Sequence, residues 1–324
     1  MTIAHLNQEE IRRHQRRNVT HTWLLILGAG GLMAVIAWMI SGTGGVIWAG
    51  LLGILGLWSA SRVSPKFVLK LYKARPLLPD DLPELRHIMR ELTARADLPA
   101  VPSLYYVPSQ MMNAFAVGKP EDSAIAITDG LLRRLTLRQL AGILAHEVSH
   151  IRSGDLRVMA LADMLNRMTS FMSSFGLFGL IFSIPANLAA GIKMPWIGFL
   201  ILMAAPTVGG LLQLALSRAR EYDADLDAAG LTGDPEGLAA ALQALERYQG
   251  KLWESIVLPG GRQPQPSLLR THPRTEERVA RLLALRKDTT RRIRIDRQDR
   301  PPRTTIVPNT GPPRIRWHKM GVWY

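Results

Sequence analysis

The sequence predicts a mainly α-helical, integral membrane protein in which four transmembrane helices carry a polar domain with a small β-sheet. Three observations lead there: four long stretches without acidic or basic side chains, amphipathic segments with helical spacing, and three short runs of strand-forming residues between them. At 324 residues, 47% of them hydrophobic, the chain can bury a sizeable core and exceeds one average domain. The net charge is +14, most of it in the first twenty residues and the tail beyond Arg286, a balance that suits an anionic membrane surface or a nucleic acid. Cysteine is absent, which excludes disulfide frameworks and thiolate metal sites, so a bound transition metal must use imidazole and carboxylate ligands.

Residues 1–21 form a basic N-terminal segment. Residues 22–62 hold two uncharged runs, Trp23–Ile40 and Val46–Ala60, joined by SGTGG and long enough with their flanks to cross hydrocarbon as a hairpin. Trp48 and Trp58 stand near the ends of the second, as interfacial anchors do. Two successive spans without a small-residue cleavage site argue against a removed signal peptide. A second pair, Phe171–Ile192 and Trp196–Leu216, lies within residues 170–216; serines, Pro185 and Asn187 leave a buried or re-entrant hairpin as the rival to spanning. Basic residues flank both pairs on one side: Arg12, Arg13, Arg16 and Arg17, then Arg62, Lys66, Lys70 and Lys73; Arg157 and Arg167, then Arg218 and Arg220. The intervening connectors offer only Lys193, so both termini and the polar segments are expected on the cytoplasmic side.

Residues 63–169 form the first part of the polar domain. An amphipathic helix is expected through DLPELRHIMRELTARADL, and strands at LYYV, AFAV and SAIAIT, the last two paired through the GKPED turn. TLRQLAGILAHEVSHI reads as a helix opened by a Thr136/Gln139 capping box. Residues 217–288, the second part, carry a helix through SRAREYDADLDAAG ending near Gly230, another through DPEGLAAALQALERYQG, and a third in PRTEERVARLLALRK. Residues 289–324 are basic, proline-rich and expected to be mostly disordered.

The chemistry lies in AHEVSHIRSGD. Residues four apart on a helix are rotated by about 40°, so His146 and His150 can direct their rings at one point, and neutral imidazole is a good zinc ligand. Glu147 lies beside that point without ligating, placed to take a proton from water. This is the HExxH arrangement. A third histidine in the metzincin position is excluded, because Ser153 and Leu156 stand where glycine and histidine are required. REYDAD supplies the alternative: Glu221 as third ligand, with Asp225 on the same helical face to hydrogen-bond a ligand histidine and fix its tautomer. The three ligands meet only if the chain between them crosses the bilayer an even number of times, which two spans or none satisfy.

In NAFAVG, HEVSHIRSGD, SRAREYDAD and THPRTEERVARL, taken in that order, the chain resembles the HtpX-like membrane zinc metalloproteases, related to the CAAX prenyl proteases, over roughly Thr22 to Arg286. The resemblance implies a gluzincin-type zinc protease domain with one Zn2+ per chain on His146, His150 and Glu221, and Glu147 as general base. It also implies a multi-pass protein of the bacterial inner membrane that cleaves misfolded or damaged membrane proteins under stress at a cytoplasm-facing site. Asn113 and its strand would border the substrate cleft, where an extended edge can hold a peptide by backbone pairing. His272 and Arg278 match positions that face the cleft and stabilise the tetrahedral intermediate; a capping histidine and a solvated arginine are the alternative roles. Partners are then polypeptides and the lipid bilayer, and no nucleic acid, since the tail lacks aromatic interleaving until Trp317. A non-catalytic zinc-containing membrane scaffold or chaperone-like binder is the competing function. His, His, Glu sites also accept cobalt or manganese.

Overall fold

Among the residues that the computed structural model describes, 8–60, 65–78, 81–191, 196–256, 275–285, 316–318 and 321–323, three helices contain stretches long and apolar enough to cross a membrane: Thr22–Leu55, Arg157–Pro185 and Trp196–Thr232. The first stretch belongs to α1 (Gln8–Ala60) and holds both segments of the first expected hairpin. Ser41 and Gly42 leave helical geometry there, Gly42 with φ 58°, and Gly45 comes against the carbonyl oxygen of Ala37. Residues eight apart in a continuous helix are separated by about 12 Å along its axis, so the chain turns back at this point. Met33, Ala37 and Ala49 bury together across the turn. Three long helices therefore supply four apolar segments.

The outward faces of these segments are apolar: Trp23, Leu27, Phe171, Phe175, Phe182 and Ile197 are all more than half exposed. Water does not tolerate so large a contiguous apolar surface, and hydrocarbon is its natural solvent. The second pair is thus not a buried hairpin. Its helices, α6 (Asp155–Ala189, 35 residues) and α7 (Trp196–Thr232, 37 residues), are each longer than 50 Å by the rise of about 1.5 Å per residue. The hydrocarbon layer needs only about 30 Å, so both continue without a break into the polar domain. Polar side chains fix their mutual register: Asn166 Nδ2 donates to Gln213 Oε1 at 2.9 Å, and Gln213 Nε2 to Asp163 Oδ1 at 3.3 Å.

The polar domain is built on a four-stranded sheet of order β1-β2-β4-β3, from β1 (Arg75–Pro76), β2 (Ser103–Val107), β3 (Ala114–Lys119) and β4 (Asp122–Thr128). β2 and β4 run parallel; β3 and β4 form the expected hairpin, with Lys119 opposite Asp122. The alternation of strand side chains divides the core in two. Leu104, Tyr106, Ile125 and Ile127 face a cluster with Leu85, Ile88 and Leu92 of α3 (Pro83–Arg95) and Leu140, Leu144 and Val148 of α5 (Leu137–Ser153). Val107, Ala124 and Ala126 face Leu69 of the short α2 (Pro65–Leu71). Neither α2, β1 nor α4 (Asp129–Arg134) is evident from the sequence pattern, since each is too short for a period to develop.

β3 is an edge strand. Thr128 N–H donates to Asn113 O at 3.1 Å, which makes Asn113 and Thr128 a hydrogen-bonded pair. By the alternation of antiparallel ladders, Phe115 and Val117 pair with β4, while the main-chain groups of Ala114, Ala116 and Gly118 point away from the sheet.

α7 ends two residues beyond the expected Gly230, because Gly233 (φ 65°) is the left-handed stop and Asp234 then caps α8 (Pro235–Ile256) through Gly237 N–H at 3.2 Å. α9 (Thr275–Ala284) follows; Pro273, expected at its start, lies outside the described residues. In the tail, β5 (Arg316–His318) and β6 (Gly321–Trp323) pair antiparallel, and the rest of 289–324 lies outside the described residues.

The crossing of α5 over α8 yields a stability prediction. A Cβ on Gly142 would stand 2.8 Å from Leu238 Cα, a backbone atom that cannot swing aside. Gly142→Val should destabilise the protein by roughly 1–3 kcal/mol through overpacking. A melting curve in detergent that matched the parent protein would contradict the close crossing.

Candidate metal centre

The predicted capping box opens α5: Gln139 N–H donates to Thr136 Oγ1 at 3.3 Å and Thr136 N–H to Gln139 Oε1 at 2.9 Å. Leu140, Leu144, Val148 and Ile151 bury one stripe of the helix, which leaves His146, Glu147 and His150 facing α7 and β3. Ser149 is buried and donates from Oγ to Asp227 Oδ2 at 3.2 Å, a further tie between α5 and α7.

The two imidazole rings stand edge to face with centroids 4.6 Å apart and Nε2 atoms 3.1 Å apart. Glu221 of α7 reaches the same place, Oε2 at 3.4 Å from His146 Nε2 and Oε1 at 3.9 Å from His150 Nε2. Ligand atoms about 2.05 Å from one tetrahedral ion stand about 3.3 Å apart, so these separations suit a zinc-sized cation. The other ring nitrogens face carboxylates. His150 Nδ1 is 2.8 Å from Asp155 Oδ2; His146 Nδ1 is 3.1 Å from Asp225 Oδ1, within electrostatic reach though off the line of a good hydrogen bond.

Those carboxylates are themselves held. Arg278 of α9 clamps Asp225 with Nε and Nη2, both at 2.6 Å, and sets Nη1 3.0 Å from Glu221 Oε2. Arg220 Nη1 lies 3.0 Å from Asp155 Oδ1. Four carboxylates (Glu147, Asp155, Glu221, Asp225) thus face two guanidinium groups, a deficit of two positive charges that a divalent cation would fill. The same field acts on His146: burial would lower its pKa, but the close, negatively charged carboxylates of Asp225 and Glu221 outweigh burial and push it up to about 10. Burial raises the Glu147 carboxyl above its ordinary value, opposed by the two histidines, raised further by Glu221, and steadied by the Ala116 backbone N–H.

The structure therefore brings His146, His150, Glu221, Glu147 and Asp225 together. Asn113 stands at the start of β3, the strand that supplies the Ala116 contact. Arg278 is buried against the two α7 carboxylates rather than solvated, and His272 lies outside the described residues. Sequence reasoning missed Asp155 and Arg220. Gly154 adopts the left-handed conformation (φ 67°) that ends α5 and turns Asp155 back toward His150, so the GD pair behind the second histidine was the available signal.

A multi-pass helical protein that converges two histidines and a glutamate beside the free edge of a small sheet has the layout of a membrane-integral metalloprotease. Residues 79–286 match peptidase family M48, and the chain belongs to that family. It is 34% identical over 291 residues to a protease HtpX homolog of Burkholderia ambifaria, covering 83% of this chain and 97% of that one. A protease HtpX homolog of Methylibium petroleiphilum is 35% identical over 289 residues, covering 83% and 98%. The crystal structure of S. mikatae Ste24p is similar at a TM-score of 0.47 and 20% identity, over 83% of this chain and 66% of that chain.

Two expectations follow from the geometry. Asp155→Ala, which frees the His150 ring, should weaken metal binding by about 10–100-fold in chelator competition, and an unchanged affinity would remove Asp155 from the centre. Because the metal-free His146 keeps its proton up to about pH 10, metal must displace that proton at neutral pH. Apparent affinity should rise with pH from 7 toward 10, and calorimetry in buffers of different ionisation enthalpy should register the released proton.

Proposed function

We propose that the protein is a zinc endopeptidase of the bacterial inner membrane, with its site on the cytoplasmic side, that cleaves misfolded or damaged membrane proteins in stress-response quality control. The observation that carries this reading is the meeting of His146 Nε2, His150 Nε2 and a Glu221 carboxylate within 4.8 Å of one another, with Glu147 beside them on the same helix. One zinc ion per chain, held by His146, His150 and Glu221, would supply Lewis acidity for a scissile carbonyl and acidify water. The basic residues beside the spans support the cytoplasmic orientation, and the relatives in Burkholderia and Methylibium support a bacterial membrane.

The chain's own groups divide the remaining work. The outward main-chain groups of Ala114 and Gly118 offer an extended peptide a strand to pair with, and Asn113 borders the cleft at that strand's start. Pairing of this kind aligns the scissile bond, which is an entropic contribution to rate. Glu147 takes the proton of the attacking water and returns it to the leaving amine nitrogen; its raised pKa suits both steps better than that of an exposed carboxylate. Asp225 and Asp155 orient the two imidazoles. Arg278, with three nitrogens engaged on Asp225 and Glu221, holds the carboxylates in place, and His272 is the candidate for stabilising the tetrahedral oxyanion.

Glu147→Gln keeps the ligands and removes the base. In detergent, casein or membrane-protein cleavage should fall by roughly 10²–10⁴-fold while bound zinc remains stoichiometric. Undiminished cleavage would refute the role of Glu147. Zinc retention in a parent protein that cleaves nothing would favour a non-catalytic scaffold.

A further inference from the structure

α2 is a helix of seven residues, yet it presents two distinct exposed faces. Phe67 and Leu71, four apart, are 59% and 66% exposed. Lys66 and Lys70, also four apart, occupy the neighbouring flank, and both are exposed. With Lys73 they line a groove of about 420 Å³ whose other walls are Leu69, Ala74 and Tyr105.

Lys73 is unusual in its backbone. It closes the helix with φ 51°, its N–H on Lys70 O at 3.0 Å and the next N–H on Leu69 O at 2.9 Å. That stop is the place where glycine is preferred and where a lysine is strained. The strain is offset if the side chain is needed, and here it brings a third ammonium group to the groove.

Position along the chain identifies the occupant. Only four residues separate Ala60, the end of the second apolar segment, from Pro65, a reach of at most ~18 Å. α2 therefore sits close to the membrane surface, on the side where the basic residues gather. A short amphipathic element with apolar residues on one flank and lysines on the next lies in the headgroup plane and is drawn to anionic lipid.

We propose that Lys66, Lys70 and Lys73 bind the phosphate headgroup of an anionic phospholipid of the adjoining leaflet, while Phe67 and Leu71 enter the acyl boundary. The site is separate from the metal centre and does not depend on the proteolytic reading. It has a route to the substrate edge, because Tyr72, which follows α2, packs at a tilt of 46° against Phe115 of β3 with ring centroids 4.7 Å apart.

The test uses the full chain in neutral detergent, with native mass spectrometry of added phosphatidylglycerol and phosphatidylcholine. The K66Q/K70Q/K73Q variant should lose phosphatidylglycerol binding by on the order of 10–100-fold and leave phosphatidylcholine unaffected. The charge-matched R297Q/R300Q/R303Q variant should bind as the parent does, and equal melting temperatures in lipid-free detergent would show the fold intact. Lys73→Gly separates binding from folding: relief of the left-handed strain should raise the melting temperature while lipid affinity falls. Equal losses in the two triple variants, no loss in the first, or displacement of the lipid by millimolar inorganic phosphate would overturn the proposal, the last by assigning the groove to a soluble anion.

Discussion

Two imidazole nitrogens held 3.1 Å apart, each on a ring whose other nitrogen faces a carboxylate, form the constraint around which the rest is arranged. With the His150 Nδ1 hydrogen-bonded to Asp155 and the His146 Nδ1 facing the Asp225 carboxylate, the two Nε2 atoms are turned toward one place, and two lone pairs at that distance repel unless a proton or a cation lies between them. The Glu221 carboxylate sharpens the demand. A proton is the weaker solution, although the field is strong enough to keep one on His146 up to about pH 10. A divalent cation meets the lone pairs and the charge deficit together. Arg278 and Arg220 leave that deficit in place by offsetting only the two orienting acids and part of Glu221.

Such a centre depends on where α7 is placed. Glu221 and Asp225 lie where α7 continues from its apolar segment into the polar domain, so their positions are set by packing among the long helices as much as by contacts in the polar domain. The Asn166–Gln213–Asp163 chain of hydrogen bonds locks α6 against α7 two helical turns before Glu221. α6 starts at Asp155, the residue that holds His150, and α7 carries the residues that hold His146. One pair of spanning helices thus delivers both orienting acids, and the even number of crossings demanded by the ligands is the same condition that returns α7 to α5.

The centre was legible in the sequence because its donors obey helical spacing: four residues separate His146 from His150 and Glu221 from Asp225, and a capping box marks where α5 begins. The hairpin of β3 and β4 was legible from alternation and its turn, and the apolar segments from length and lack of charge. What the sequence concealed is chiefly what depends on brief or distant contacts. Asp155 reaches His150 only because Gly154 takes a left-handed turn, and Arg220 meets Asp155 across two helices. Arg278 reads as an exposed arginine on an amphipathic helix until α9 docks and buries it against Asp225. α2 and β1 span too few residues for any period to appear, and the unbroken passage of α6 and α7 from bilayer to polar domain carries no composition boundary sharp enough to locate.

That concealed α2 changes how β3 is supported. An edge strand has one neighbour, so β3 takes its stiffness from β4 on one side and from whatever packs on its two faces. On one face lies α5, packed on Ala114 and Ala116, with Glu147 reaching the Ala116 N–H at the free edge; on the other lies the α2 segment, through Tyr72 and Phe115. Leu69 anchors α2 to the sheet, while Phe67 and Leu71 remain exposed. β3 is therefore clamped between α5, which carries His146 and His150, and the α2 segment. Any lipid contact that orders α2 narrows the positions open to Phe115, and with them the geometry that β3 presents beside Glu147.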